Sequence, residues 1–222
     1  MNVILGFIDI VVIFFIVVIT EKLFKKEGLY IWVSLAVILA NLIVGKTIDI
    51  FGFATSLGNV LFASTFLATD IISENYGKEA AKKAVYMSVF SSVTFIIITQ
   101  LALAFIPNEK DVINESMKTL LGISIRTTIA SMVMFFLSNM FDIYLYNKLK
   151  EKYPNKLWLR NNIATIISNC TENFLFVALA FIGIYDIKLI LSIAITKTIL
   201  EIFIAICDTP FLYLSKKLKK IH

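Results

Sequence analysis

Apolar residues along this chain run in long unbroken blocks, not in the alternation of a half-buried strand or the single stripe of a surface helix. A helix needs roughly 20 mostly apolar residues to cross the hydrocarbon core of a bilayer. Seven blocks read as such helices: Asn2–Thr20, Tyr30–Ile48, Leu57–Glu74, Ala84–Ile106, Thr119–Tyr146, Asn161–Ile184 and Lys188–Leu214. The predicted fold class is therefore all-α, a polytopic membrane helical bundle of about seven transmembrane helices, in a single domain over residues 1–222. The third block is the least regular, because Gly52, Gly58, Asp70 and Glu74 lie in or beside it. It reads as either a continuous span or a broken, re-entrant one. The first block has no basic segment before it and no A-x-A-like cleavage site, so it reads as a retained helix and not a signal peptide.

Composition points the same way. Of 222 residues, 59% are hydrophobic and 17% charged, and the mean hydropathy is +0.85. Soluble domains are about 45–50% apolar and about 25% charged, so a soluble enzyme or nucleic-acid-binding module is not expected. Cys170 and Cys207 lie in apolar runs without a CxxC spacing and read as small packed hydrophobes. The single histidine is His222. Histidine-dependent nucleophilic catalysis and His-ligated metal sites drop out with it. No cofactor is expected.

The net charge of +5 could suggest an anionic partner, but its distribution gives it another meaning. Fifteen of the 21 basic residues follow the first, third, fifth and seventh spans, in groups beginning at Lys22, Lys78, Lys148 and Lys216. The positive-inside rule then places the N-terminus outside and the C-terminus in the cytoplasm of a multi-pass cell-membrane protein. An odd number of spans preserves that alternation. The basic excess is topological, and nucleic acid is not an expected partner.

An ionisable side chain near the bilayer centre costs at least about 2.5–3.5 kcal/mol on insertion scales, so such residues are where function is sought. At about 1.5 Å per residue, Asn41 falls roughly 16 Å into the second span and Asp70 about 20 Å along the third. Arg126 falls about 10 Å from the outer side of the fifth, Glu172 roughly 17 Å into the sixth, and Lys197 about 14 Å into the last. Asn169 precedes Glu172 by one turn, and Glu201 follows Lys197 by one. Lys197 and Glu201 read equally well as a structural i,i+4 pair, and Arg126 as a residue that snorkels outward or pins a helix. Glu74, Asp142 and Asp208 fall near lysine-rich loops and read as interfacial anchors or loop partners. Trp32 and Trp158 read as members of an interfacial aromatic belt. The buried acids outnumber the buried bases by one, which suits a cationic or donor-rich substrate, or a bound proton. Polar groups converging at mid-depth form a transporter-like pattern.

Several stretches are more specific: Ala40-Asn41-Leu42-Ile43 with Lys46, Leu57-Gly58-Asn59-Val60-Leu61-Phe62, and Phe66-Leu67-Ala68-Thr69-Asp70-Ile71-Ile72-Ser73-Glu74-Asn75-Tyr76-Gly77. Leu157-Trp158-Leu159-Arg160-Asn161-Asn162 and Asp208-Thr209-Pro210 follow. In this order and spacing they closely resemble the queuosine-precursor transporter family, also called the vitamin uptake transporter family, over about Tyr30 to Leu214. The resemblance implies a cytoplasmic-membrane importer of 7-deazaguanines such as the 7-cyano and 7-aminomethyl bases, with queuine or queuosine as further substrates. It maps the family's Thr-Asp pair to Thr69-Asp70, its sixth-span polar step to Asn169 and Glu172, its fifth-span arginine to Arg126 and its last-span base to Lys197. Related sequences often carry Asp where this chain has Glu172. The expected partners are a small 7-deazapurine, the lipid bilayer and a second copy of the chain.

Two rival classes remain. One is a substrate-capturing membrane subunit that depends on a separate energy-coupling ATPase complex. The absence of a G-x-x-x-x-G-K-[ST] loop fits that reading as well as a self-sufficient transporter. The other is an intramembrane enzyme, which the lack of an in-span histidine or protease signature disfavours.

Overall fold

The computed structural model describes residues 1–50, 53–122, 125–181, 183 and 186–219. Its elements are α1 (Asn2–Ile43), β1 (Thr47–Ile50), β2 (Phe53–Ser56), α2 (Gly58–Asn75), α3 (Lys78–Ala104), α4 (Asn114–Leu121), α5 (Ile125–Lys152), α6 (Leu157–Phe181) and α7 (Ile187–Lys219). The all-α expectation holds, with one addition: β1 and β2 form an antiparallel hairpin, Thr47 opposite Ser56 and Ile50 opposite Phe53. It caps the bundle at the end where Asn2 Nδ2 donates to the Asp49 carbonyl.

Although α1 is continuous in sequence, it breaks at Lys25, whose φ of 54° and ψ of −140° are not helical. Residues eight apart in a straight helix lie about 12 Å apart. A side chain on Gly28, however, would place its Cβ 2.8 Å from the Thr20 carbonyl oxygen. The chain therefore doubles back at Lys25, and Gly28 is where the two arms come too close for any side chain. Phe14 and Val17 of one arm share a core with Leu29 and Val33 of the other.

The centre of the bundle is α2. It packs against α1, α3, α5 and α7, and every residue from Ala63 to Ser73 is buried. Such a helix meets protein on all faces, so it tolerates Asp70 and also Ser64, Thr65, Thr69 and Ser73, whose hydroxyls bond locally or across helices. Ser64 Oγ donates to the Leu61 carbonyl at 2.6 Å and accepts from Trp32 Nε1 at 3.1 Å. Trp32 is thus an interhelical tie at 8% exposure and not a member of an interfacial belt, whereas Trp158 is 53% exposed.

Among the described residues, four helices are long and apolar enough to cross a membrane: Asn2–Ile43, Lys78–Ala104, Thr128–Lys152 and Ile190–Lys219. Of these, α1 contains the first sequence block and the second as far as Ile43; the second block's last two residues, Thr47 and Ile48, lie in β1 instead. The expected fifth span from Thr119 is divided between α4 and α5, with Gly122 capping α4. Arg126 therefore falls in the first turn of α5 and not a third of the way into a span; its side chain lies outside the described residues, as does Gly52.

Candidate functional site

Along α6, Asn161, Thr165, Ser168, Asn169, Glu172 and Asn173 recur at helical spacing, and all are buried. A polar stripe turned inward on an otherwise apolar helix is the reverse of a soluble amphipathic helix, and it organises the polar chemistry of the bundle.

At one level of this stripe α6 meets α7. Lys197 Nζ lies 3.7 Å from Glu172 Oε1 and 3.5 Å from Glu201 Oε1. Glu201 Oε2 accepts from Asn173 Nδ2 at 2.6 Å, and the same amide reaches Thr198 Oγ1 at 3.2 Å. The ammonium stands over the rings of Phe176 at 5.2 Å and Phe62 at 5.9 Å. Phe62, from α2, is set edge-on to Phe135 with centroids 5.7 Å apart. Ser138 of α5 faces Glu172. Two carboxylates share one cation, leaving one surplus negative charge. Glu172 Oε2, Asn169 Oδ1 and Asn173 Oδ1 have no hydrogen-bond donor among the described residues. A buried acceptor without a donor is costly, so this cluster is built to receive a donor-rich group.

About 10 Å further along α7 lies Asp208, two turns past Glu201. It lies within electrostatic range of Asp70 of α2 and Asp142 of α5; the three are 1%, 0% and 0% exposed. Asp208 Oδ1 accepts from Asn161 Nδ2 at 2.6 Å, whereas neither oxygen of Asp70 or Asp142 has a donor among the described residues. Asp70 and Asp142 lie within hydrogen-bonding reach of each other.

One turn past Asp70, Glu74 gathers three cations. Arg160 Nη2 and Lys216 Nζ each lie 2.6 Å from a carboxylate oxygen, and Lys150 Nζ lies 3.1 Å away. Tyr146 donates to Glu74 Oε2 at 3.1 Å. Arg160 also donates to the carbonyls of Pro154 and Tyr153, at 2.6 and 3.3 Å. This network ties α2, α5, α6 and α7 together at the basic end of the bundle. Beside it, Glu21 of α1 accepts from Ser215 and from Asn75.

The structure therefore brings together Glu172, Lys197 and Glu201, with Asn169 one turn away. It does not place Asp70 with them. Asn41 is exposed two residues from the end of α1, and reaches the site only across a small pocket whose wall includes Phe62 and Phe135. Asp142 and Asp208 are buried inside the bundle and are not interfacial anchors, whereas Glu74, its side chain buried, pairs with cations of the lysine-rich groups as a loop partner would. Arg160 and Asn161, part of the Leu157–Asn162 stretch, belong to the polar interior; so does Asn173, which is not among the residues singled out from the sequence and for which the inward stripe on α6 is the available signal. Asp9 also stands within an apolar run and faces a groove of about 280 Å³ between α1, the hairpin and α7, whose walls are otherwise almost wholly apolar.

A family profile described as "Putative vitamin uptake transporter" matches residues 56–215. The chain is 34% identical over 207 residues to a protein of Bacillus subtilis named "Probable queuosine precursor transporter", covering 92% of this chain and 90% of that protein. It is 23% identical over 131 residues to a protein of Haemophilus influenzae with the same name, covering 59% of this chain and 54% of the other. No solved structure matches.

Proposed function

The chain belongs to the vitamin uptake transporter family, and from that premise we propose that it imports 7-deazaguanine precursors of queuosine across the cell membrane. It is a multi-pass membrane protein; in this reading the two arms of α1 and α2, α3, α5, α6 and α7 make seven crossings. The observation that carries the proposal is the pairing of Glu172 and Glu201 about Lys197 between aromatic rings. A guanine-like edge presents an N1–H and an exocyclic amine as adjacent donors beside a carbonyl acceptor. A carboxylate accepts both donors through charge-assisted bonds, and an ammonium donates to the carbonyl. Glu172 and Lys197 supply that complement, Asn169 adds a further acceptor, and Phe62 and Phe176 offer faces for the ring. Arg126 and Asn41 stand nearer the outer end, where they meet a substrate on its way in. The surplus negative charge favours the aminomethyl base, which carries a cation.

Uptake of labelled 7-cyano- and 7-aminomethyl-7-deazaguanine is expected when this chain alone is expressed in a host that makes neither base and lacks energy-coupling ATPase subunits. Uptake that appears only when those subunits are added identifies a substrate-capturing subunit instead. Orientation is tested separately. With the N-terminus outside, an impermeant thiol reagent labels a cysteine placed at Glu109, between α3 and α4, and not one placed at Lys152, at the end of α5. The reverse pattern inverts the topology.

A further inference from the structure

We propose that Asp70, Asp142 and Asp208 form a proton-binding site through which transport is coupled to the proton gradient. The inference rests on the transport reading above for what is coupled, but not for the site itself. Three carboxylates from three helices are almost wholly withdrawn from solvent. Four of their six oxygens, both of Asp70 and both of Asp142, lack a donor among the described residues. Two carboxylates within hydrogen-bonding reach of each other are held together by a shared proton, since like charges at that separation cannot both persist in a dry interior.

Two neutral side chains point to the same ligand. Thr165, 2% exposed, faces Asp142, and its hydroxyl makes no hydrogen bond of normal geometry among the described residues. Asn161, 0% exposed, gives its amide to Asp208 and Thr209 while its own oxygen lacks a donor.

The charges around the site do not neutralise it. Asp142 comes from α5, Asp208 from α7 and Glu74 from the helix that carries Asp70. Arg160 of α6, Lys150 of α5 and Lys216 of α7 are all bound to Glu74. Tyr146 of α5 also gives its hydroxyl to Glu74. On α1, Glu21 is held by Asn75 and Ser215, and on α3, Lys82 binds Glu79 while Lys83 stands over the Tyr30 ring. Among the described residues no group of three His, Cys, Asp or Glu side chains is arranged to hold a metal ion.

Its place explains the coupling. The triad lies between the substrate cluster and the Glu74 network, and each of the helices that carry Asp142 and Asp208 also carries a residue of the substrate cluster, Ser138 on α5 and Glu201 on α7. Loading and releasing a proton changes the repulsion between α2, α5 and α7, the helices that must move apart if the basic end is to open.

Two measurements on the purified full chain test this. Infrared titration should show a protonated-carboxyl C=O band that disappears as pH rises and is missing from D142N; Asp208→Asn serves if D142N does not assemble. In proteoliposomes, an inward proton gradient should drive accumulation of 7-aminomethyl-7-deazaguanine, and a protonophore should abolish it. D142N should lose this accumulation while still exchanging labelled for unlabelled base. An infrared spectrum without the band, accumulation driven by sodium instead, or undiminished accumulation by D142N overturns the proposal. If the band is present and no base is carried, the proton site stands and the substrate reading fails.

Discussion

Replacing Lys197 by Met is expected to destabilise the protein by about 3–5 kcal/mol, the usual consequence of removing one partner from a buried ionic group. Glu172 is 4% and Glu201 2% exposed, and this ammonium is the cation paired with both. Met preserves most of the side-chain volume and its packing between Phe62 and Phe176, so the loss reports charge and not a cavity. Thermal unfolding in detergent, compared with wild type, reads the effect. The rescue separates this account from a general packing defect. Lys197→Met combined with Glu201→Gln leaves one buried carboxylate in place of two, and it should recover much of the lost stability. If Lys197→Met unfolds at the wild-type temperature and only substrate affinity changes, the lysine serves the ligand alone.

Much of the fold is legible in the sequence because membrane burial writes itself as long apolar blocks, and most of each block from Tyr30 to Leu214 falls on helix, with the second running into β1 and the fifth divided between α4 and α5. The errors have specific causes. Hydropathy falls at the block ends, but α5 continues through Lys150 to Lys152 and α7 through Lys216 to Lys219. A helix of 33 residues is about 50 Å long, well beyond a hydrocarbon core of about 30 Å. Asp142 and Asp208, near the ends of their apolar blocks, consequently lie far inside their helices. There α2 and α6 cover them, and no reading of depth from a block's end reveals that cover. The same central packing explains why the third block is so irregular: α2 meets other helices where an outer helix meets lipid. Asp70 shows the opposite failure. Its position along α2 follows from the sequence, but position along a helix does not state which helix faces which, and Asp70 joins Asp142 and Asp208 in place of Glu172. Lys197 and Glu201 were legible because i,i+4 spacing on one helix is fixed by geometry. The pairing of Lys197 with Glu172 crosses between helices and needed the structure.

The substitution Glu172→Gln is expected to keep the fold while reducing affinity for 7-deazaguanines by about tenfold or more, from a loss of about 1.5–3 kcal/mol. Lys197 retains Glu201 as its counter-ion at 3.5 Å, so removing the charge of Glu172 leaves no buried cation alone. In that respect the variant differs from Lys197→Met, and its unfolding temperature should stay near that of wild type. What it loses is acceptor capacity. Glu172 Oε2 has no donor among the described residues, and Gln puts either an oxygen of weaker acceptance or an NH2 group at that place. An NH2 group would face the N1–H or amine of a guanine-like edge, donor against donor. Glu172→Asp keeps the carboxylate but withdraws it by one methylene, so a smaller loss is expected. Binding of the cyano and aminomethyl bases to both variants, at matched abundance, assigns the contact. Both bases weaken in Glu172→Gln if the carboxylate reads the edge they share. A loss confined to the aminomethyl base means that Glu172 reads its cation, and the edge then falls to Glu201, the other carboxylate beside Lys197. Unchanged binding of both removes Glu172 from the substrate site and leaves the Asp9 groove, between α1, the hairpin and α7, as the next place to look.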